Sequence, residues 1–557
     1  MTTQSTQSTR SAQGTRSTRT ASAPPAAAPA AAPGARGAAA ALLRGPARRT
    51  ALLTALCFAV TCAIGLQGWT SVSLGGFDLG IFDQGVRGYA HFGLPVSSLK
   101  SYHHEFPPGF SLLGDHFSPV LALLAPLYWI WDDPRSLIIG QSLLFAAGVP
   151  LIRRITAHGF AAAQPRTARR AADLAGLVYA LGWPLLVAAR VGFHEVAFAV
   201  PLTLLMLERG LARRYGTVVL AAVLLCCTKE DLGLMVGAYG LVLLLRTRRT
   251  ADRAGRFTGL GLLLGGPVAS AVAITWLIPA MGGEPGYYWN YGSLGTDGGD
   301  ALRHLLHDPF LLVQAALDQP LKPLLLLWLF GTTLLLPLRS ATVLCALPLL
   351  AERILSSNPN HWSIARHYDS MLWPILLTAG IEVLGRLSAA ERPARTVRRA
   401  RRLGLGAAGI ALVAAVPIGL LQLAVPSSWS AKPSEAALVR AAALIPDGAS
   451  VEADNQIAPR LTARTDVVLV DGTPRGREYV LTRSNKRSFP FAADTEQAQR
   501  IRLLLEHGYR QFWAEDGVVL LHRESGEPVP GEHVPGPGSK PVQDKVPSDV
   551  GHDLFRG

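Results

Sequence analysis

Apolar residues follow one another in runs close to twenty long through the middle of this chain, and short clusters of arginine separate the runs. A helix of ~20 residues crosses ~30 Å of hydrocarbon, so the pattern predicts a polytopic helical membrane protein. The first run covers about 51–70 and follows Arg44, Arg48 and Arg49. Basic residues favour the cytoplasmic side, which places the N-terminus inside and the next segment outside. PVLALLAPLYWIW, about 119–131, is short, holds Pro126 and ends among Tyr128, Trp129 and Trp131. It reads as a re-entrant or interfacial helix, which keeps Arg153, Arg154, Arg166, Arg169 and Arg170 inside. Further spans follow at about 136–152, 172–189, 196–208, 216–228, 232–245, 257–280, 321–338, 340–352, 371–388 and 404–425. The expected total is about eleven crossings with alternating basic inner ends.

Past Pro426 the period changes. Residues 433–444 and about 494–508 pattern as amphipathic helices, and VEAD, DVVLV, EYVLT, FWAED and GVVLLHR as short strands. The expected organisation is a disordered cytoplasmic tail over 1–45 and a transmembrane domain over 46–426 with a long external loop at 71–118. A small extracytoplasmic α/β domain over 427–523 and a disordered tail over 524–557 complete it. The tails are rich in Ser, Thr, Pro, Gly and charge and show no apolar period.

Composition sharpens this picture at two points. The chain of 557 residues is 49% hydrophobic and 17% charged, against about 25% charged in an average soluble domain. The net charge of +14 sits mostly in the inner-end clusters, so it reads as membrane topology and anionic-lipid contact, with no nucleic-acid partner. The five cysteines all fall in apolar spans without a CxxC pair, which suggests neither a zinc site nor a disulfide framework. Heavy use of Ala, Arg, Gly and Pro associates with a GC-rich bacterial genome, so the expected membrane is a bacterial plasma membrane.

Polar residues that interrupt apolar sequence concentrate at the outer ends of the spans. The loop from Phe77 to Pro119 carries FDLGIFDQ, HHEFPPGF and GDHFSP, and with them Asp78, Asp83, Asp115 and His116. His194 and Glu195 follow in GFHE, Lys229 and Glu230 in KED, and Arg366 and His367 in ARHYDS. Of the fourteen histidines only His158 falls in an expected inner loop. Ionisable groups near membrane depth are costly and mark a substrate path or site, here one outward-opening cavity. Asp78 and Asp83 are the candidate bases, and Asp78 also occupies a capping position before LGIFDQ. Asp115, His116, His194, Glu195, Lys229, Glu230, Arg366 and His367 are candidate substrate or phosphate ligands. Arg366 offers a planar fork and Lys229 a point charge. Solvated turns and structural ion pairs are the structural alternative for the same residues. His with carboxylate also admits a divalent metal, although the spacing names none. Tyr287, Tyr288, Trp289 and Tyr291 are expected in the aromatic belt.

FDLGIFDQ after the first span, GDHFSP before the next apolar run, FHE, KED and the late HY pair resemble the membrane family called domain of unknown function 2079. The resemblance covers about 70–480. That family is similar to the large membrane glycosyltransferases of the C-type fold, which share a long first external loop with an acidic residue just after the first span. The resemblance implies a polyprenyl-phosphate sugar as donor, with a glycan, lipid or protein acceptor. It places Asp78 at the catalytic acidic position, His116 to Pro119 near the donor phosphate, and Arg366 at a phosphate-facing position. The expected activity is therefore an inverting glycosyl transfer at the outer face. A lipid or small-solute transporter or flippase is the alternative, because membrane carboxylates and histidines also relay protons. Against it, the two halves show no internal repeat. A non-catalytic scaffold presenting the C-terminal domain is the third reading.

Overall fold

The computed structural model describes residues 45–543, so all but the last residue of the expected tail 1–45 and the end, 544–557, of the expected tail 524–557 lie outside them. The described chain is mostly helical, with one five-stranded sheet near its C-terminal end. Among the described residues six helices are long and apolar enough to cross a membrane: Pro46–Thr70, Arg135–Gly159, Pro165–Arg190, Arg253–Ala280, Asp369–Leu387 and Ala394–Ala424. Shorter apolar helices cover Tyr215–Cys226, Leu232–Thr247 and Leu321–Gly331. A helix or helical turn stands at each expected span, but several are far shorter than the ~20 residues a simple crossing needs.

Burial separates central helices from peripheral ones. The windows of Pro165–Arg190 and Asp369–Leu387 are each 72% buried, whereas that of Arg253–Ala280 is 22% buried. On this last helix Leu260, Leu264, Val268, Val272 and Trp276 are exposed at a spacing of four, a continuous apolar stripe of the kind that faces lipid. The same helix packs backbone-close against Leu232–Thr247: a Cβ added at Gly233 would meet the Gly266 carbonyl at 2.3 Å. Small residues at such contacts are how helices pack in lipid, where burial against a neighbour gains little over burial in tails.

The segment 119–130 forms a six-residue 3-10 turn, Pro119–Leu124, followed by a six-residue α-helix, Ala125–Ile130. Together they rise about 21 Å, short of the ~30 Å of a bilayer core. Its outer side leaves Leu123, Trp129 and Ile130 exposed.

The sheet domain contains strands β1 (Ser450–Ala453), β2 (Asp466–Leu469), β3 (Tyr479–Arg483), β4 (Tyr509–Glu515) and β5 (Val518–Arg523). Their order is β2-β1-β3-β5-β4. β1 pairs in parallel with β2 and β3, while β5 pairs antiparallel with β3 and β4. One face packs its own helix Asp494–Glu506 through Val470, Val480, Leu504 and Leu521. The other face buries Val451, Val467, Leu481 and Leu520 in a core that also takes Val72, Ile81, Leu99 and Leu112 from the long loop. Loop and sheet thus share one hydrophobic core.

Residues 524–543 run along this domain, in contrast to the expected disordered tail from Glu524. Val529 is buried, Glu532 pairs with Arg523 at 3.2 Å, and the Val542 N–H donates to the His104 carbonyl at 2.9 Å. A sequence rich in Pro and Gly makes no regular element, but side-chain anchors fix it all the same.

Candidate functional site

The turn that follows the first apolar helix builds the candidate site. Gly76–Gly80, which is Gly76 and the FDLG that opens FDLGIFDQ, is a π-helical turn with a kink at its centre. Asp78 there has φ 83° and ψ −88°, a left-handed conformation that is strained for any residue with a Cβ. Strain of this kind persists only where the surroundings over-determine it. Its side chain keeps 37% of its surface, and its Oδ2 lies 3.4 Å from His194 Nε2.

His194 is fixed from behind. Buried Gln141 donates from Nε2 to the Ala188 and Gly192 carbonyls, and its Oε1 accepts from the His194 N–H at 3.3 Å. Gly192 has φ 99°, which lets the chain leave the helix Trp183–Arg190 and turn His194 inward. The imidazole of His194 stacks on that of His367 with ring centroids 3.6 Å apart, and His367 in turn lies 4.2 Å from the Tyr368 ring.

Electrostatics divides these groups by role. Burial pushes the Asp78 carboxyl up, but the charge and hydrogen bond of His194, with the charges of Arg366 and Lys100, outweigh it and hold the group below the usual carboxylate range. Burial pushes His194 down, and the Asp78 carboxylate more than restores it. His367 has no such partner: burial first, then the charges of His194, Lys229 and Arg366, drive it well below the ordinary value, so it is neutral. Arg366 is exposed. Its loop is pinned by Arg353, which pairs in the buried interior with Asp369 and donates from Nε to the His361 carbonyl at 2.6 Å.

A second group of the expected residues gathers around His116. Its Nδ1 lies 2.7 Å from Glu230 Oε1, and the Phe117 N–H donates to Glu230 Oε2 at 3.1 Å. Burial lowers the His116 imidazole, but Glu230 overrides it and raises the group to about 9. Tyr288 stacks on His116 at 4.5 Å and donates to Asp115. Asp115 also pairs with Lys100 Nζ at 2.9 Å. Lys100 is 4% exposed and lies within 6.0 Å of the ring centroids of Phe77, Phe106, Tyr287 and Tyr288, an aromatic enclosure for one ammonium. Tyr287 and Tyr288 therefore belong to the site and not to an aromatic belt. Lys229 lies 3.6 Å from Asp231, and Glu195 is buried within electrostatic reach of both His194 and Lys229.

Asp83 stands apart from this assembly. It is fully buried, takes Arg87 Nη1 at 2.6 Å and Nη2 at 3.1 Å, and accepts from the Tyr128 hydroxyl at 2.6 Å. Every oxygen is committed, so this carboxylate fastens the helix Ile81–Ala90 to the segment 119–130. Among the described residues no group of three or more His, Cys, Asp or Glu gathers in a metal-holding arrangement.

A family described as "Predicted membrane protein (DUF2079)" matches residues 70–520. The chain belongs to that family. No curated protein matches it. The chain is similar to a solved structure, ArnT from Cupriavidus metallidurans bound to undecaprenyl phosphate, at 13% identity and a TM-score of 0.48, over 86% of this chain and 98% of that one.

Within the DUF2079 range lie all the residues that the motifs singled out, and with them Lys100 and Gln141, which no motif marked, and Tyr288, which the aromatic run marked only as a belt residue. Each of the three supports a charged neighbour. A lone Lys or Gln in apolar or aromatic surroundings was the available signal, since such a residue must find a partner once buried.

Proposed function

We infer that this membrane protein is an inverting glycosyltransferase that takes a sugar from a polyprenyl-phosphate donor and passes it to an acceptor hydroxyl at the outer face. The observation that carries the reading is Asp78: one partly exposed carboxylate, on a strained turn, set against a buried histidine and under the field of an exposed arginine. The family resemblance of FDLGIFDQ and GDHFSP supplies the donor class.

Asp78, ionised at neutral pH, accepts the proton of the acceptor hydroxyl as its oxygen bonds to the anomeric carbon. The bond from that carbon to the phosphate oxygen breaks, and the electron pair leaves on the polyprenyl phosphate. Arg366 is the phosphate ligand of choice, because its guanidinium is exposed whereas Lys229 and His116 each face a carboxylate of their own. Neutral His367, beside His194, offers a donor and an acceptor to the sugar hydroxyls. Asp83 takes no chemical part, since its oxygens are filled.

Purified protein in lipid nanodiscs, incubated with a panel of radiolabelled polyprenyl-phosphate sugars and membrane extract, tests the reading. Release of polyprenyl phosphate with label in the acceptor supports it. Donor lipid that crosses the bilayer of proteoliposomes with its glycosidic bond intact would replace it with a flippase.

A further inference from the structure

Asp78 is held from both sides, and the two anchors have different origins. On its C-terminal side, the helix Ile81–Ala90 is locked by Asp83, Arg87 and Tyr128. On its N-terminal side the anchor comes from the sheet domain, 378 residues further along the chain. The Gly76 N–H donates to the Asn455 carbonyl at 2.6 Å, and the Phe77 N–H donates to Asn455 Oδ1 at 2.8 Å.

Asn455 is itself rigid. It is the second residue after β1, and its neighbour Asp454 donates its N–H to the Leu481 carbonyl at 2.7 Å. The Asp454 carboxylate accepts from the Gln456 N–H at 2.9 Å and pairs with buried Arg483 at 3.4 Å. The carboxyl ends of parallel strands are where α/β domains ordinarily take ligands. Here that edge holds the backbone of FDLG. The fit leaves no slack: a Cβ on Gly75 would lie 2.6 Å from Asn455 Nδ2, and one on Gly76 would lie 2.6 Å from Ala458 Cβ. The Phe77 ring fills a hollow made by His103, His104 and, from the sheet domain, Phe489, with centroids 5.9, 5.5 and 5.3 Å away.

We propose that the sheet domain is a clamp for the reactive turn, with Asn455 as its positioning residue. By fixing Gly76 and Phe77 it obliges the chain to pass through the left-handed conformation at Asp78, which presents the carboxylate to His194. Asn455 touches no substrate and acts only through Asp78. This role rests on Asp78 being the reactive carboxylate, but the clamp itself is measurable without any transfer.

The test uses the full-length protein in nanodiscs and the variants Asn455→Ala, Asn455→Asp and Gly76→Ala. Amide hydrogen exchange is followed in the peptide covering 74–80, with β5 as internal control. The clamp predicts exchange about tenfold or more faster at Phe77 in Asn455→Ala, which removes its acceptor oxygen, and at both Gly76 and Phe77 in Gly76→Ala, with β5 unchanged. Asn455→Asp keeps the acceptor oxygen and stays close to wild type. In the transfer assay, kcat of Asn455→Ala and Gly76→Ala falls about tenfold or more while KM for the donor holds, and Asn455→Asp rescues. Unchanged exchange at Gly76 and Phe77 in both variants overturns the clamp. Faster exchange with undiminished kcat overturns the positioning role. Should Asn455→Ala loosen β5 as well, Gly76→Ala decides, because it alters no residue of the sheet domain itself. If wild type transfers no sugar from any donor, the transferase reading fails and exchange alone judges the clamp.

Discussion

Asp78 Oδ2 and His194 Nε2 lie 3.4 Å apart, and the two residues come from turns held by different means. One turn is strained and gripped by Asn455. The other is relaxed by Gly192 and braced by Gln141. Their meeting sets both protonation states, because the cation lowers the acid and the anion restores the base.

That relationship fixes the direction of a pH effect. Folded Asp78 is held below the usual carboxylate value, ~3.9, by His194, Arg366 and Lys100 acting against burial. The acid limb of kcat/KM for transfer is expected below that value in wild type. Arg366→Gln removes one of the three positive charges and is expected to move the limb upward. A limb that stays in place in Arg366→Gln would show that the arginine does not act on the base.

The His116–Glu230 pair gives a stability effect of opposite sense. His116 rises from 6.5 to about 9 in the folded protein. A raised histidine contributes stability that is complete below the unfolded value and lost as pH climbs through the folded one. The difference in melting temperature between wild type and Glu230→Gln should be greatest between about pH 4.5 and 6.5, where Glu230 is ionised and His116 protonated, and should shrink as pH climbs through about 9. Lys229 opposes this pair and Asp115 assists it, so neither reverses the sign. A difference that grows toward high pH would contradict the pairing.

Asp83→Ala is expected to destabilise by about 3–5 kcal/mol, because it strands the Arg87 guanidinium and the Tyr128 hydroxyl in the interior. Denaturation of the variant in detergent measures the loss. Folded Asp83→Ala that is recovered should lose far less of its transfer rate per folded molecule than Asp78→Asn, because Asp83 only anchors the helix that follows Asp78.

Lys100 and Tyr288 share Asp115 unequally. Tyr288→Phe removes one hydrogen bond to a carboxylate and keeps the ring on His116, at an expected cost of about 1.5–3 kcal/mol. Lys100→Met takes from Asp115 its ion-pair partner, leaving only the charge of His116, and should cost about 3–5 kcal/mol. Thermal melts of both variants rank them, and the reverse order would deny Lys100 its place at the centre of the group.

Hydropathy made the helices and the sheet domain legible, because long apolar runs and short alternating ones have few alternatives. FDLGIFDQ, FHE, KED and HY were legible for a related reason: charged residues beside apolar spans are expensive and so stand out. The structure brings Asp78 to His194 and His194 to His367, and separately His116 to Glu230. What the sequence left hidden was long-range. Nothing near Asp78 announces its left-handed φ, which depends on Asn455. Asp83 looked equivalent to Asp78 because its partners Arg87 and Tyr128 are one turn and one helix away. Tyr288 looked like a membrane-belt residue because its partners, Lys100 and His116, lie far back in the chain.

The central claim is that Asp78 is the base of a sugar transfer. Its most direct test compares wild type with Asp78→Asn in nanodiscs, using whichever polyprenyl-phosphate sugar wild type accepts and checking fold by melting temperature. Loss of about 10²–10⁴-fold in kcat with the fold intact is the predicted result. Transfer at the wild-type rate by a folded Asp78→Asn protein would contradict it.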